Sequence, residues 1–192
     1  MMDVTENLES EYFRSLYNES DRGCLLLVAS RLDDSLKTLH GAHIGRVVAQ
    51  SAGLLKKLFA QYAPLSSFAG RSQIAYAYGL IPHEQYVDLE TIRGIRNKAA
   101  HSISEFSLTS SGIREKVFSL TAARQIVEQI PELAEGFAPE ELLTIRSPGA
   151  GETPPKMHLM LACLCMDLWI VRRAAALLEE EIVRLKVQLQ GR

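Results

Sequence analysis

The stretch that decides the fold lies near the middle of the chain and reads Ile95-Arg96-Asn97-Lys98-Ala99-Ala100-His101-Ser102. The pattern around it predicts a helix that begins around Pro82 and ends with this stretch. With about 100° of rotation per residue, the helix carries one apolar stripe. The stripe consists of Leu89, Ile92, Ile95 and Ala99. We therefore expect this side of the helix to face a core.

Three polar residues accompany the stripe. Arg96 projects within roughly 40° of the centre of the stripe, and Asn97 and His101, four residues apart, share one flank. A guanidinium is not buried alone, because an unpaired buried charge is very costly. The sequence therefore predicts a structural polar cluster that joins Arg96 to an acidic residue of a neighbouring helix, with His101 near the free carbonyls of the helix end. The candidate acidic partners are Glu19, Asp21 and Asp33.

A catalytic interpretation of the same residues stays open. The spacing Arg-x-x-x-x-His resembles the signature of the HEPN superfamily of helical domains, many of which are metal-independent ribonucleases and often dimers. The resemblance implies that His101 acts as general acid or base on a ribose hydroxyl and that Arg96 holds the scissile phosphate, with Asn97 beside them. Two fixed positions in six residues recur by chance, so we favour the structural interpretation and an absence of enzymatic activity.

Apolar periodicity predicts helices on both sides of this stretch. A short helix covers residues 5–17, and a second begins near Asp21 and ends at Gly41. A third covers residues 44–62, and a fourth, shorter helix is capped by Ser66 or Ser67. After a short extended segment at residues 103–108, another helix begins near Ile113. It either continues to residue 130 or is interrupted and restarts before that residue. The apolar face of the second helix comprises Leu25, Val28, Ala29, Leu32, Leu36 and Leu39.

The C-terminal part predicts the longest element. Residues 132–155, rich in Pro, Gly and Ser, are expected to form an irregular connection. A helix follows over residues 156–190, in which Leu178, Ile182, Leu185 and Leu189 form a four-three-four seam. A helix of that length measures roughly 50 Å, so we expect its far end to project from the domain or to pair with a second copy. The predicted fold is all-α: one helical domain, residues 1–192, built as a bundle of five or six helices with a long C-terminal helix.

Composition narrows the function. The formal net charge of −2 gives no support for a strongly basic surface that binds DNA directly. The cysteines Cys24, Cys163 and Cys165 lie in apolar helical contexts, which indicates buried thiols of a cytoplasmic protein. Cys163 and Cys165 project about 200° apart on a helix, so we predict neither a metal site nor a cofactor. The apolar segment 157–171 is too short to span a membrane.

A wider pattern covers residues 18–102. It consists of Glu19-Ser20-Asp21-Arg22-Gly23, Leu32-Asp33-Asp34, Pro64-Leu65-Ser66-Ser67-Phe68, Ala75-Tyr76-Ala77-Tyr78-Gly79-Leu80-Ile81 and Ile92-Arg93-Gly94-Ile95-Arg96-Asn97-Lys98-Ala99-Ala100-His101. In this order the chain resembles the mannitol operon repressor family, a helical bundle related to HEPN-like domains. The resemblance implies a transcriptional repressor of sugar-alcohol uptake and utilisation genes. It also implies a regulator without a recognisable DNA-binding motif, which acts through a protein partner such as another transcription factor.

Overall fold

The computed structural model describes residues 12–47, 52–103, 105–122 and 154–190, with the backbone alone for residues 185 and 188–190. Within these ranges the chain is helical and contains no strand, which confirms the predicted all-α class. Residues 12–18 are helical, and six further helices follow. They are α1 (Asp21–Val47), α2 (Ala52–Leu58), α3 (Phe68–Ala77), α4 (His83–His101), α5 (Ile113–Phe118) and α6 (Pro155–Gln190).

By its internal contacts the chain divides into two compact units. Unit 1 comprises residues 1–30 and 87–165, and unit 2 comprises residues 31–86 and 166–192. The helices α1, α4 and α6 contribute residues to both units. The organisation of residues 1–192 as a single domain stays a prediction.

The core of unit 1 is built from the apolar stripe of α4 and the first half of α1. Leu89, Ile92, Ile95 and Ala99 are fully buried, as the sequence predicts. Each fully buried Leu or Ile contributes about 1.5–3 kcal/mol relative to an exposed one. The core is completed by Cys24, Leu25, Val28, Ala29, Leu108, Ile113, Val117, Leu120, Met157, Leu159, Met160 and Ala162.

The core of unit 2 forms around the second half of α1. Its buried apolar residues include Leu32, Leu36, Leu39, Leu65, Ala75, Leu80, Ile81, Met166, Ile170, Ala174 and Leu177. The face predicted for the second helix is therefore buried over its whole length. In the loop before α3, Ser67 accepts a hydrogen bond from the amide of Gly70 at 3.1 Å, which confirms the predicted N-cap.

The prediction that the second helix ends at Gly41 is wrong, because α1 continues to Val47. Glycine ends a helix most readily when its φ is positive, and Gly41 does not have a positive φ. A glycine inside a helix costs about 1 kcal/mol relative to alanine. Burial of Leu39 and Ala42 on either side offsets that cost.

The predicted third helix, residues 44–62, is also wrong in its bounds. Its first residues belong to α1, residues 48–51 lie outside the described residues, and α2 ends at Leu58. The amide of Leu65 donates to the carbonyl of Leu58 at 3.0 Å, so the chain turns back at that point. Tyr62 supports the turn with a φ of 66°. None of the residues of α2 is buried.

The short helix α5 begins at Ile113 as predicted, but its N-cap is Gly112 and no side chain caps it. The segment 123–153, which includes most of the predicted irregular connection, lies outside the described residues, as do residues 5–11 of the predicted first helix. The long C-terminal helix is confirmed: α6 has 36 residues, or about 54 Å at 1.5 Å per residue. No helix in the described ranges combines the length and apolarity that a membrane span requires.

Candidate functional site

The C-terminal end of α4 presents Arg96, Asn97 and His101. Arg96 and His101 are exposed and Asn97 is half-buried, whereas Ile95 and Ala99 in the same turns are fully buried. The prediction that Arg96 faces the core is therefore wrong. In the last two turns the buried positions are Ile95 and Ala99, which lie about 100° and 60° from Arg96 around the helix axis. The buried surface of α4 is narrower in these two turns, so the guanidinium of Arg96 lies in solvent.

A second guanidinium lies at this end of α4. Arg22 of α1 donates from Nη2 to the carbonyl of Ser102 at 3.1 Å, while the amide of Ser102 bonds the carbonyl of Lys98 at the same distance. The last carbonyls of a helix lack intrahelical partners and carry partial negative charge. Arg22 therefore contacts a free carbonyl at the end of α4, which is the contact that the sequence predicts for His101. The quoted motif contained Arg22, but its partner is 80 residues away and no local pattern indicated it.

Asp21 and Glu19 contact a lysine rather than Arg96. The ammonium of Lys156 lies 3.3 Å from Asp21 Oδ1 and donates to the carbonyl of Glu19 at 2.6 Å. The other oxygen of Asp21 accepts hydrogen bonds from the amide of Leu108 at 2.8 Å and the hydroxyl of Ser107 at 3.1 Å. Asp21 thus ties the start of α1 to the loop before α5 and to the start of α6.

Asp33 also has another partner. Arg71 of α3 donates to its carboxylate from Nε at 2.8 Å and from Nη2 at 2.6 Å. Only 5% of the surface of Arg71 is exposed, and its Nη1 donates to the carbonyl of Leu65. His40 donates from Nε2 to the carbonyl of Arg71 at 2.9 Å. Burial lowers the pKa of His40 below its ordinary value, so the ring is neutral in this setting. The predicted buried guanidinium exists, but it belongs to Arg71.

A close approach explains the glycine before Arg71. A Cβ atom on Gly70 would lie 2.2 Å from the carbonyl oxygen of Pro64, which is backbone and cannot turn aside. The absence of a side chain lets the first turn of α3 pass against the loop that presents Leu65. Gly70 therefore positions the guanidinium of Arg71 as well as the start of the helix.

Two further buried carboxylates were not predicted. Asp88 of α4 accepts hydrogen bonds from the amides of Thr121 and Ala122 at 2.9 and 2.8 Å, and so holds the segment after α5. Asp167 of α6 accepts from Nε of Arg31 at 2.6 Å and from the hydroxyl of Ser35. Asp88 satisfies the buried amide of Ala122, which would be costly to leave without an acceptor. These contacts are structural: Asp88 holds the segment after α5 to α4, and Asp167 joins α6 to α1.

The remaining reactive groups are shielded. Cys24, Cys163 and Cys165 are buried, as predicted, and form no disulfide. Burial raises the pKa of the Cys24 thiol to about 11 and that of Cys165 to about 12, so these two groups are protonated at neutral pH and poor nucleophiles. In the described part of the chain, no three His, Cys, Asp or Glu side chains are grouped to hold a metal ion.

Comparison with known proteins gives a match at the level of the fold. Neither a protein-family model nor a curated protein sequence matches the chain. The structure is similar to a chain in "X-ray structure of the MtlR-HPr complex from Escherichia coli", with a TM-score of 0.59 and 17% sequence identity. The match covers 88% of this chain and 99% of that one. At this identity the two proteins share a fold.

Proposed function

We propose that this chain is a transcriptional regulator, a repressor of sugar-alcohol (mannitol) uptake and utilisation genes. The observation that carries the proposal is the shared fold with a chain of the MtlR–HPr complex over 88% of the present chain. The sequence resemblance to the mannitol operon repressors rests on other grounds, namely the ordered motifs between Asn18 and Ser102. Fold and motifs therefore support the same assignment.

The proposed mode of action is through a protein partner. The neighbouring structure is a complex with HPr, so we propose that an HPr of the same cell binds this chain. The formal net charge of −2 supports a protein partner over direct contact with the phosphate backbone. In this proposal the chain changes transcription by forming a complex, and no chemical step takes place on it.

Two measurements test the proposal. Isothermal titration of the full-length chain with HPr from the same cell should show saturable binding, and deletion of the gene should raise expression of the neighbouring sugar-alcohol operon. An operon whose expression is unchanged by the deletion, with or without mannitol, would refute the repressor function. Binding of HPr without any effect on expression would leave a complex whose role is not transcriptional, which also contradicts the proposal.

A second candidate function, a metal-independent ribonuclease of the HEPN type, is favoured by one observation. Arg96 and His101 are both exposed at the end of one helix, so neither side chain is needed for the core and both are accessible to a ligand. In that chemistry His101 would act as general acid or base on the ribose hydroxyl and Arg96 would hold the scissile phosphate. Asn97 would lie beside these two residues.

The ribonuclease is tested with purified chain and mixed RNA, beside the variants Arg96→Ala and His101→Ala. Lys116→Ala is the matched control, because Lys116 is an exposed cation on α5 of the same unit. Cleavage that both site variants abolish and the control retains would support the nuclease. Cleavage that is equal in all four proteins would come from a contaminant and exclude Arg96 and His101 as catalytic residues.

A further inference from the structure

The C-terminal part of α6 has a buried face and an exposed apolar face. Met166, Ile170, Ala174 and Leu177 are buried in unit 2. About 100° further around the helix lie Val171, Leu178 and Ile182, which are 45%, 50% and 52% exposed. Leu177 is the last buried residue among those of α6 whose side chains are described. This half of the helix thus exposes large apolar groups that unit 2 does not cover.

The exposed groups follow the spacing of a coiled coil. Val171, Ala175, Leu178 and Ile182 are separated by four, three and four residues, and the sequence continues the pattern with Leu185 and Leu189. In heptad notation Val171, Leu178 and Leu185 occupy d positions, and Ala175, Ile182 and Leu189 occupy a positions. Among parallel coiled coils, a β-branched residue at a with leucine at d favours two strands. Ile182 between Leu178 and Leu185 has this arrangement.

The charges beside the seam are complementary to those of an identical helix. Glu181 occupies a g position and Lys186 the next e position, and in a parallel pair each g residue faces the e residue of the other helix five positions later. Two such Glu–Lys pairs would form across a symmetric contact. Among the described residues Glu181 lies 3.5 Å from Arg184; its side chain is 20% exposed, and its Oε2 has no hydrogen-bond partner there.

The opposite flank of the helix is already occupied. Glu180 pairs with Arg46 of α1 and lies 3.8 Å from Arg173. These contacts fix the rotation of α6 about its axis within unit 2 and turn the seam of Val171, Leu178 and Ile182 outward. The described residues leave Val171, Leu178 and Ile182 about half-exposed, and the same segment of a second copy would present apolar side chains with the same spacing.

We propose that residues 171–189 of α6 form a parallel two-stranded coiled coil with the same segment of a second copy of this chain. This contact goes beyond the proposed function, since it requires neither HPr nor DNA. It makes the protein a homodimer held by a seam of a and d residues and flanked by two symmetric Glu181–Lys186 pairs between copies.

Light scattering of the full chain tests the seam with two neighbouring variants. Ile182→Asp should raise the dimer dissociation constant by at least about 100-fold, because each copy would bury an unpaired carboxylate in the contact. Val183→Asp is the matched control: Val183 is 60% exposed and lies at a b position off the seam. It should leave a dimer of unchanged affinity. Thermal unfolding of both variants, followed by circular dichroism, is the control that each variant is folded.

A charge exchange tests the orientation of the helices. Glu181→Lys should weaken the dimer by placing two lysines opposite each other, and the double variant Glu181→Lys with Lys186→Glu should restore it. An antiparallel pair would not be restored, because Lys186→Glu would then face Glu179 of the other copy. Ile182→Cys should form a disulfide between copies under mild oxidation, since identical a residues share one layer in a parallel pair.

Four results would overturn the proposal. They are a monomeric wild-type chain at all concentrations, equal effects of Ile182→Asp and Val183→Asp, no recovery in the double charge variant, and a monomer whose seam is covered by a different protein. A dimer that loses affinity only in Ile182→Asp and recovers in the charge exchange would establish the parallel coiled coil.

Discussion

Replacement of Asp33 with alanine removes the carboxylate that neutralises a buried guanidinium. Arg71 donates to Asp33 from Nε at 2.8 Å and from Nη2 at 2.6 Å, and it is only 5% exposed. After the substitution the guanidinium keeps the carbonyl of Leu65 as an acceptor, but it loses the carboxylate that balances its charge. The variant therefore tests whether this pair holds α3 to α1 within unit 2.

The magnitude follows from burial. Removal of one partner of a buried ion pair costs about 3–5 kcal/mol. The side chain of Asp33 is 22% exposed, so water reaches part of the site and the cost lies at the lower end. We expect the free energy of unfolding to fall by about 3 kcal/mol. For a chain of this length each kcal/mol shifts the melting temperature by about 2–4 °C, so we expect a decrease of about 6–12 °C.

The assay is urea unfolding followed by circular dichroism, with Asp34→Ala as the control. Asp34 is the next residue of α1, is 70% exposed, and pairs with Lys37 at 2.7 Å. Exposed pairs contribute at most about 1 kcal/mol, and both substitutions change helix propensity equally. Equal losses of stability in the two variants would refute the reasoning, because burial of the partner would then have no effect.

A double variant separates the pair from its surroundings. If the cost of Asp33→Ala is the unpaired charge of Arg71, then Asp33→Ala combined with Arg71→Met should be less destabilising than the sum of the single changes. We expect a coupling energy of at least about 1 kcal/mol between these contacting residues. A coupling energy of zero would show that the two side chains contribute independently.

Three further predictions concern single sites. Arg96→Ala should change the free energy of unfolding by less than about 0.5 kcal/mol, because Arg96 is exposed; a loss of several kcal/mol in urea unfolding would show that it is buried. Asp88→Ala should lower stability by about 1–3 kcal/mol in the same assay, because the buried amide of Ala122 would lose its acceptor. Burial holds the pKa of His40 below its ordinary value of 6.5; the unfolded chain therefore binds more protons than the folded chain, and stability should fall as the pH drops through about 6.5. His40→Gln should reduce this dependence, and an unchanged pH profile would contradict the buried neutral ring.

The elements that the sequence predicts correctly are those with long, regular apolar patterns. The stripe of α4 from Leu89 to Ala99 follows the helical period closely enough to indicate both its class and its buried face, and the pattern over α6 is long enough to indicate its class. The N-cap at Ser67 was also predictable, since a serine before a helical pattern satisfies a free amide of the first turn. Local signals of this kind depend on neighbours within a few residues.

The candidate site required contacts that no local signal provides. Asp33 and Arg71 are 38 residues apart, and the sequence contains 21 lysines and arginines from which a partner could be chosen. The rotation argument placed Arg96 near the centre of the stripe, but it could not show that the buried surface narrows toward Ile95 and Ala99 at the end of α4. The buried guanidinium that requires a carboxylate is therefore Arg71, and Arg96 lies in solvent.

The residues that carry the sequence resemblance are residues that hold the fold. Asp21 and Arg22 fasten the start of α1 to the loop before α5 and to the end of α4. Asp33 binds Arg71, and Leu65 supplies the carbonyl that the same guanidinium contacts. Because these contacts fix the framework, a chain can retain them and the fold while the surface that meets its partner changes. The proposed binding to HPr and the proposed action on RNA must therefore be tested with exposed positions such as Arg96, since variants of the framework would unfold the chain and test neither proposal.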